Sequence, residues 1–170
     1  MIILGLGSNL SSNFGDCYKN IDLAILYLQK YKINLIKRSS FYKTPSYPNN
    51  KNPKFINTII EVSSHLKPDD LAQALLFIEE KLGRKRKQKN EPRTCDIDII
   101  DFNGKIMNFN YNNLLFKVPH EKLIYRNFVL FPLQEILPNW KHPKTKEDIN
   151  SLIEKLSTQE KNSILKVKKP

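Results

Sequence analysis

Two aspartates stand two residues apart in the stretch Pro92-Arg93-Thr94-Cys95-Asp96-Ile97-Asp98-Ile99. The alternation of acid and isoleucine predicts a strand, and a strand sends successive side chains to opposite faces. Asp96 and Asp98 therefore share one face, with Cys95, Ile97 and Ile99 on the other. Side-by-side carboxylates repel. A hard divalent cation relieves that repulsion, and carboxylate oxygens are the ligands magnesium prefers. Taken alone, such a pair is more often a solvated strand face. The neighbourhood shifts the balance. Gly83-Arg84-Lys85-Arg86 and then Arg93 lie directly upstream. A guanidinium fork matches phosphate oxygens. Acids able to hold a metal, beside arginines able to hold phosphate, are the components of phosphoryl transfer.

Two further groups are weaker by themselves. Val118-Pro119-His120 is followed by Arg126 and Phe128. His120 and Arg126 could complete a phosphate clamp, or His120 could be structural. Thr44-Pro45-x-Tyr47 and Phe55-x-Asn57 form the other group. Phe55 and Asn57 share a strand face. An aromatic stack with nearby amide hydrogen bonds suits a flat heterocycle. The same residues also suit an ordinary loop and a core aromatic.

These groups must be carried by regular elements. Residues 2–6 read as a buried strand running into a Gly-Ser-Asn turn. Residues 16–31 read as a helix, because Tyr18, Ile21, Ala24, Ile25 and Leu28 recur at helical spacing. Residues 33–42 read as one strand, 44–53 as a Pro- and Asn-rich loop, and 55–65 as another strand. Residues 68–82 read as a helix with Pro68, Asp69 and Asp70 in its first turn and Gly83 past its end. A strand over 95–102 meets Asn103-Gly104, a signal for a tight hairpin into 105–108. A strand over 114–118, a short or bent helix over 127–136 containing Pro132, and a last helix over 148–156 follow. The order strand, helix, strand, strand, helix, strand is that of a ferredoxin-like α/β sandwich of the α+β class: a mainly antiparallel sheet flanked by helices. No repeat or linker divides residues 1–170, so one domain is expected.

The net charge is +11 over 170 residues, but it is local. Residues 83–93 hold six cations and one anion, and residues 161–170 hold four lysines and no acid. A compact cationic loop fits a small polyanion such as ATP better than long nucleic acid. No apolar run is long enough to span a membrane, no secretory leader is evident at the start, and Cys17 and Cys95 give no disulfide framework. A reducing cytoplasm is the expected location.

The four groups, in this order, resemble the 6-hydroxymethyl-7,8-dihydropterin pyrophosphokinase family. The matching stretches are Gly7-Ser8-Asn9-Leu10, Ser40-Phe41-Tyr42-Lys43-Thr44-Pro45, Phe55-Ile56-Asn57, Ile78-Glu79 with Gly83-Arg84-Lys85-Arg86, Pro92 to Ile99, Val118-Pro119-His120, Arg126 to Leu130, and Pro132-Leu133-x-Glu135-Ile136. The resemblance covers roughly residues 2–143. It implies a ferredoxin-like fold and transfer of pyrophosphate from ATP to the hydroxymethyl-pterin, releasing AMP. It implies two magnesium ions on Asp96 and Asp98. Arg84, Arg86, Arg93, His120 and Arg126 would hold phosphates, with Glu79 and Ile99 at the nucleotide site. Thr44, Pro45, Tyr47, Phe55, Asn57 and Phe128 would line the pterin pocket, the ring lying between Phe55 and Phe128. The implied partners are ATP and the pterin, with no nucleic acid and no membrane, and a monomer suffices.

Three positions depart from the family pattern. Asn90 and Glu91 replace the usual Trp-Gly in a slightly shorter loop, Phe55 replaces a common tyrosine, and Leu76 replaces a common glutamine. The first removes an aromatic lid and implies weaker pterin binding. Rival readings are an RNA-binding module, which would need more aromatics and glycines on the strands, a two-metal phosphodiesterase, which would need more acidic or histidine ligands, and a family fold without activity.

Overall fold

The computed structural model describes residues 1–47, 50–85 and 91–170. An inner strand, β1 (Ile2–Ser8), is apolar up to its final serine because both faces are covered. β1 pairs antiparallel with β4 (Phe55–Ser63) on one side and β5 (Asp96–Phe102) on the other. β2 (Asn34–Arg38) and β3 (Phe41–Thr44) both pair with β4, and β8 (Leu165–Val167) adds to β3. The sheet order is β5-β1-β4-β3-β8, which leaves β5 at one edge. This is the expected antiparallel α+β sheet.

The single strand expected over 33–42 is interrupted. Ser39 takes the place of a ladder residue: its amide donates to the Ile59 carbonyl at 2.9 Å, and its hydroxyl accepts from the Ile59 amide at 3.0 Å. A side-chain hydroxyl that competes for ladder hydrogen bonds inserts an extra residue and bends the strand.

One sheet face is covered by α1 (Cys17–Lys30) and α2 (Pro68–Lys81). Asp16 caps α1 by accepting from the Lys19 amide at 2.9 Å. Pro68, Asp69 and Asp70 open α2, and Gly83, at φ +88°, ends it in a backbone conformation that favours glycine. The core beneath joins Leu4, Leu6, Ile21, Leu28, Ile60, Leu75, Ile78, Ile97 and Ile99. The other face is covered by α3 (Asn127–Ile136) and α4 (Ile149–Glu154), with Ile3, Ile59, Ile100, Leu130, Leu133, Trp140 and Leu152 between.

β5 changes register between these cores. Leu4 lies opposite Ile99 but Ile3 lies opposite Asp101, so Ile100 is an extra residue. The bulge turns Asp101 inward, where it is 1% exposed. The Trp140 indole donates to it at 2.9 Å and the Gly104 amide at 2.8 Å, so the buried carboxylate is satisfied.

Asn103 and Gly104 form the expected tight turn, both with positive φ. The following strand, β6 (Met107–Tyr111), leaves β5 and pairs instead with β7 (Leu114–Val118) through a second turn at Asn112 and Asn113. Met107, Phe109 and Phe116 pack this hairpin on the first core, and the two phenylalanine rings stack at 5.2 Å. Apolar contact thus overrides the local pairing that the turn favours. Among the described residues no helix is long and apolar enough to cross a membrane.

Candidate functional site

The face of β5 turned toward α3 carries Asp96 and Asp98. Asp96 lies opposite Gly7 of β1 and Asp98 opposite Gly5. Gly7 in turn lies opposite Asn57 of β4. A row of side-chain positions therefore runs across the sheet from the acids to Asn57, with glycine in the middle. A Cβ on Gly7 would stand 3.1 Å from the Asn57 Oδ1 and 3.5 Å from a Phe55 ring carbon. The missing side chain lets the Asn57 amide close over the strand, with the phenyl ring beside it. Gly7→Ala is expected to force the Asn57 amide to give by a few tenths of an ångström, with the Phe55 ring at ordinary contact. It should weaken binding of the pterin that the family resemblance implies about tenfold, or about 1.4 kcal/mol, read by titration calorimetry.

The cations converge on the acids from three segments. Arg84, just past the end of α2, places Nη1 on the Asp96 Oδ1 and, at 2.6 Å, on the Glu79 Oε1. Arg93, at the entry to β5, reaches the Asp96 Oδ2 at 3.0 Å. Arg126, at the N-terminal boundary of α3, reaches the Asp98 Oδ2 at 3.1 Å. His120 sits beside Asp98, accepting at Nδ1 from the Lys122 amide at 3.1 Å. That bond puts the imidazole hydrogen on Nε2, available as a donor.

The electrostatics follow from burial and close charges. Burial, and then Asp96, push the Asp98 carboxyl above the usual carboxylate range. Burial holds His120 below the ordinary histidine value despite Asp98, so the ring is neutral at pH 7. Burial works against charge on Arg84, but Asp96 and Glu79 outweigh it and hold the guanidinium above its ordinary value. Cys95 is fully buried, which pushes its thiol far up and leaves it inert.

The aromatic group adjoins the charged one. The Arg93 guanidinium lies 5.2 Å from the Phe55 ring centre and that of Arg126 5.4 Å from Phe128. The Asn57 amide donates to the Thr44 Oγ1 at 3.0 Å, and both residues are buried. Phe55, Asn57, Thr44 and Phe128 are thus brought to the face that bears the acids.

The remaining sequence candidates are placed differently. Pro45 is exposed and Tyr47 is 85% exposed. The Ile99 side chain is buried in the first core. Glu79 is 3% exposed and accepts from the Ile97 amide at 2.7 Å, so it faces β5 and Arg84 from inside. Arg86 and Asn90 lie outside the described residues.

Asn9 is a residue whose role the sequence did not disclose. It is 3% exposed. Its Oδ1 accepts from the Arg93 amide at 2.8 Å, and its amide hydrogens reach the Ser46 hydroxyl at 3.1 Å and the Pro53 carbonyl at 3.0 Å. It fastens the entry of β5 to the loop after Thr44. The signals were its place in the Gly7-Ser8-Asn9-Leu10 stretch and its polar side chain directly after the first strand, and neither gave its partners.

The donor chemistry suits magnesium. Two part-exposed carboxylates project from one strand face, and among the described residues no cluster of three or more His, Cys, Asp or Glu could hold a metal. Two protein carboxylates, with substrate phosphate and water supplying the rest, is the coordination magnesium commonly takes with nucleotides.

Comparison with known proteins is consistent with this arrangement. The family model for 7,8-dihydro-6-hydroxymethylpterin-pyrophosphokinase matches residues 3–138. The chain is 34% identical over 155 residues to a Synechocystis 2-amino-4-hydroxy-6-hydroxymethyldihydropteridine pyrophosphokinase, covering 91% of this chain and 75% of the relative. It is 38% identical over 141 residues to the Helicobacter pylori protein of the same name, covering 80% and 82%. A crystal structure of wild-type Plasmodium falciparum HPPK-DHPS shares the fold with a TM-score of 0.69 at 16% identity, over 91% of this chain and 44% of that one.

Proposed function

The chain belongs to the 7,8-dihydro-6-hydroxymethylpterin-pyrophosphokinase family, and from that premise we propose that its phosphate site is Asp96, Asp98, Arg84, Arg93, His120 and Arg126, and its pterin site Thr44, Phe55, Asn57 and Phe128. The enzyme is a pyrophosphokinase of folate biosynthesis that transfers pyrophosphate from ATP to 6-hydroxymethyl-7,8-dihydropterin. The observation that carries the site assignment is the row from Asp96 across Gly7 to Asn57, which sets acids and heterocycle pocket side by side on one sheet face.

The reaction joins the pterin's hydroxymethyl oxygen to the β-phosphorus. The bond from that phosphorus to the oxygen bridging the α-phosphate breaks, and AMP departs with that oxygen. The hydroxyl proton passes to solvent, since no residue of the cluster is an evident general base. Phe55 and Phe128 would hold the pterin between them, and Asn57 and Thr44 would fix its edge. Arg84, Arg93 and Arg126 would take the triphosphate in bidentate hydrogen bonds, and neutral His120 would donate from Nε2. Two magnesium ions held by Asp96 and Asp98 would offset the charge gathering on the phosphates. Positioning and electrostatics then account for most of the rate.

The adenine would meet the outer edge of β5. The Ile97 amide points outward to Glu79. By the two-residue strand period, the Ile99 amide and carbonyl face the same edge. Ile99 would therefore contribute its main chain rather than its side chain.

The test is AMP release from ATP and magnesium, with and without reduced hydroxymethyl-pterin. AMP formed only with pterin is the expected result. AMP formed equally without it would indicate a hydrolase and overturn the reading.

A further inference from the structure

Arg126 and Phe128, one assigned to phosphate and one to pterin, flank a residue that faces neither. Asn127 is 8% exposed. Its amide donates to the Glu160 carbonyl at 2.6 Å and to the Ser163 hydroxyl at 2.9 Å, and that hydroxyl donates to the same carbonyl at 3.0 Å. Both partners belong to the last segment of the chain, which the family match to residues 3–138 does not reach.

The acceptor is firmly placed. Glu160 lies in α5 (Thr158–Asn162), which opens with a reciprocal cap between Ser157 and Glu160. From Ser163 the chain enters β8, where Leu165 lies opposite Lys43 and Val167 opposite Phe41. Lys166 of that strand reaches Glu135, near the end of α3, at 3.3 Å. Glu135 also accepts from the Tyr42 hydroxyl at 2.6 Å and from the Ser40 amide at 3.0 Å. The C-terminal segment and β3 thus grip α3 at both ends.

The N-terminal end needs that grip. Arg126 is the capping residue of α3 and makes no side-chain cap bond, since a guanidinium has no acceptor for the helix amides; it is turned instead to Asp98 and over Phe128. The helix start therefore lacks the local anchor that a Ser, Asp or Asn cap supplies.

We propose that Asn127 is a positioning residue for both substrates: by tying the first turn of α3 to residues 160–163, it sets Arg126 against Asp98 and Phe128 toward the pterin face. The C-terminal segment is thereby part of the apparatus that aligns the site. The inference rests on the assignment of Arg126 and Phe128 made above.

The experiment is a double-mutant cycle in the full chain. Affinities for α,β-methylene ATP with magnesium, and for 6-hydroxymethyl-7,8-dihydropterin, are measured by calorimetry for Asn127→Ala, Arg126→Ala and the double variant. Asn127→Ala is expected to weaken each ligand about five- to tenfold, a coupling of ordinary size for residues in one network. In the Arg126→Ala background the nucleotide effect should shrink to about twofold or less. Ser163→Ala, which keeps the Glu160 carbonyl, should give a smaller loss in the same direction and carries the test if Asn127→Ala does not fold. Unchanged affinities in Asn127→Ala, or in Ser163→Ala where that variant carries the test, would overturn the inference, as would a nucleotide loss of equal size in both backgrounds. If Arg126→Ala itself leaves nucleotide affinity intact, the site assignment falls, and the inference with it.

Discussion

Replacing Asp96 by alanine is expected to reduce pterin-dependent AMP release about a thousandfold or more. Asp96 has both oxygens in use, one on Arg84 and one on Arg93. On the proposed assignment it would act twice, as a metal ligand and as the counter-charge that holds the two arginines assigned to phosphate. Its loss has opposite effects on the two. Magnesium would lose one of its two proposed protein ligands. Arg84 and Arg93 lose a competitor for the triphosphate, although Arg84 keeps Glu79 at 2.6 Å. Binding of metal-free α,β-methylene ATP should thus hold or rise in the variant, while the tightening that magnesium adds should largely vanish. The Asp96 side chain is 24% exposed and that of Arg84 only 10%, so loss of the pair should also destabilise the fold, by about 1–3 kcal/mol, with Glu79 still holding Arg84. Rate, nucleotide affinity with and without magnesium, and melting temperature together separate this from a folding defect. Wild-type tightening by magnesium in the variant would remove Asp96 from the metal site.

The acids were legible because strand alternation leaves little choice: an Asp-x-Asp on a strand must share a face. The arginines were legible as a cluster but not as a geometry. Nothing local says that Arg84 bridges Glu79 and Asp96, because that depends on the packing of α2 against β5. Asn9 was hidden for the same reason. Its partners are Arg93, Ser46 and Pro53, each tens of residues away. Tyr47, which the resemblance puts in the pterin pocket, lies largely in solvent.

The fold divides similarly. Helical periodicity and caps placed α1 and α2 within a residue or two, and α3 kept Pro132 in its interior because the helix is buried on the second core. The Asn103-Gly104 turn formed, yet its second strand chose β7, since Phe109 and Phe116 gain more by covering the first core than by extending β5. β8 was not foreseen at all. Three residues with exposed or half-exposed side chains have no periodic signature, and their pairing is specified by β3 and by Lys166 and Lys169 reaching Glu135 and Asp22.

Glu79→Leu is expected to destabilise the chain by about 3–5 kcal/mol and to lower the melting temperature by roughly 6–20 °C for a domain of this size. Glu79 is 3% exposed, and Arg84 has a side-chain exposure of only 10%. Leucine would leave the Ile97 amide without its carboxylate acceptor and the buried guanidinium without one of its two named counter-charges. An uncompensated buried charge is far worse than the same volume filled by an intact pair. Glu79→Gln separates the two contributions. Its carbonyl can still accept from Ile97 but carries no charge, so the loss should be about 1–3 kcal/mol. Activity should fall in both variants, because β5 and Arg84 are fixed from the same carboxylate and a small displacement of either misaligns the phosphates. Thermal melts and AMP assays on the two variants check this. A leucine variant melting within about 2 °C of wild type would mean that α2 relaxes away from β5 at little cost, and that Arg84 is positioned from the phosphate side rather than from the core.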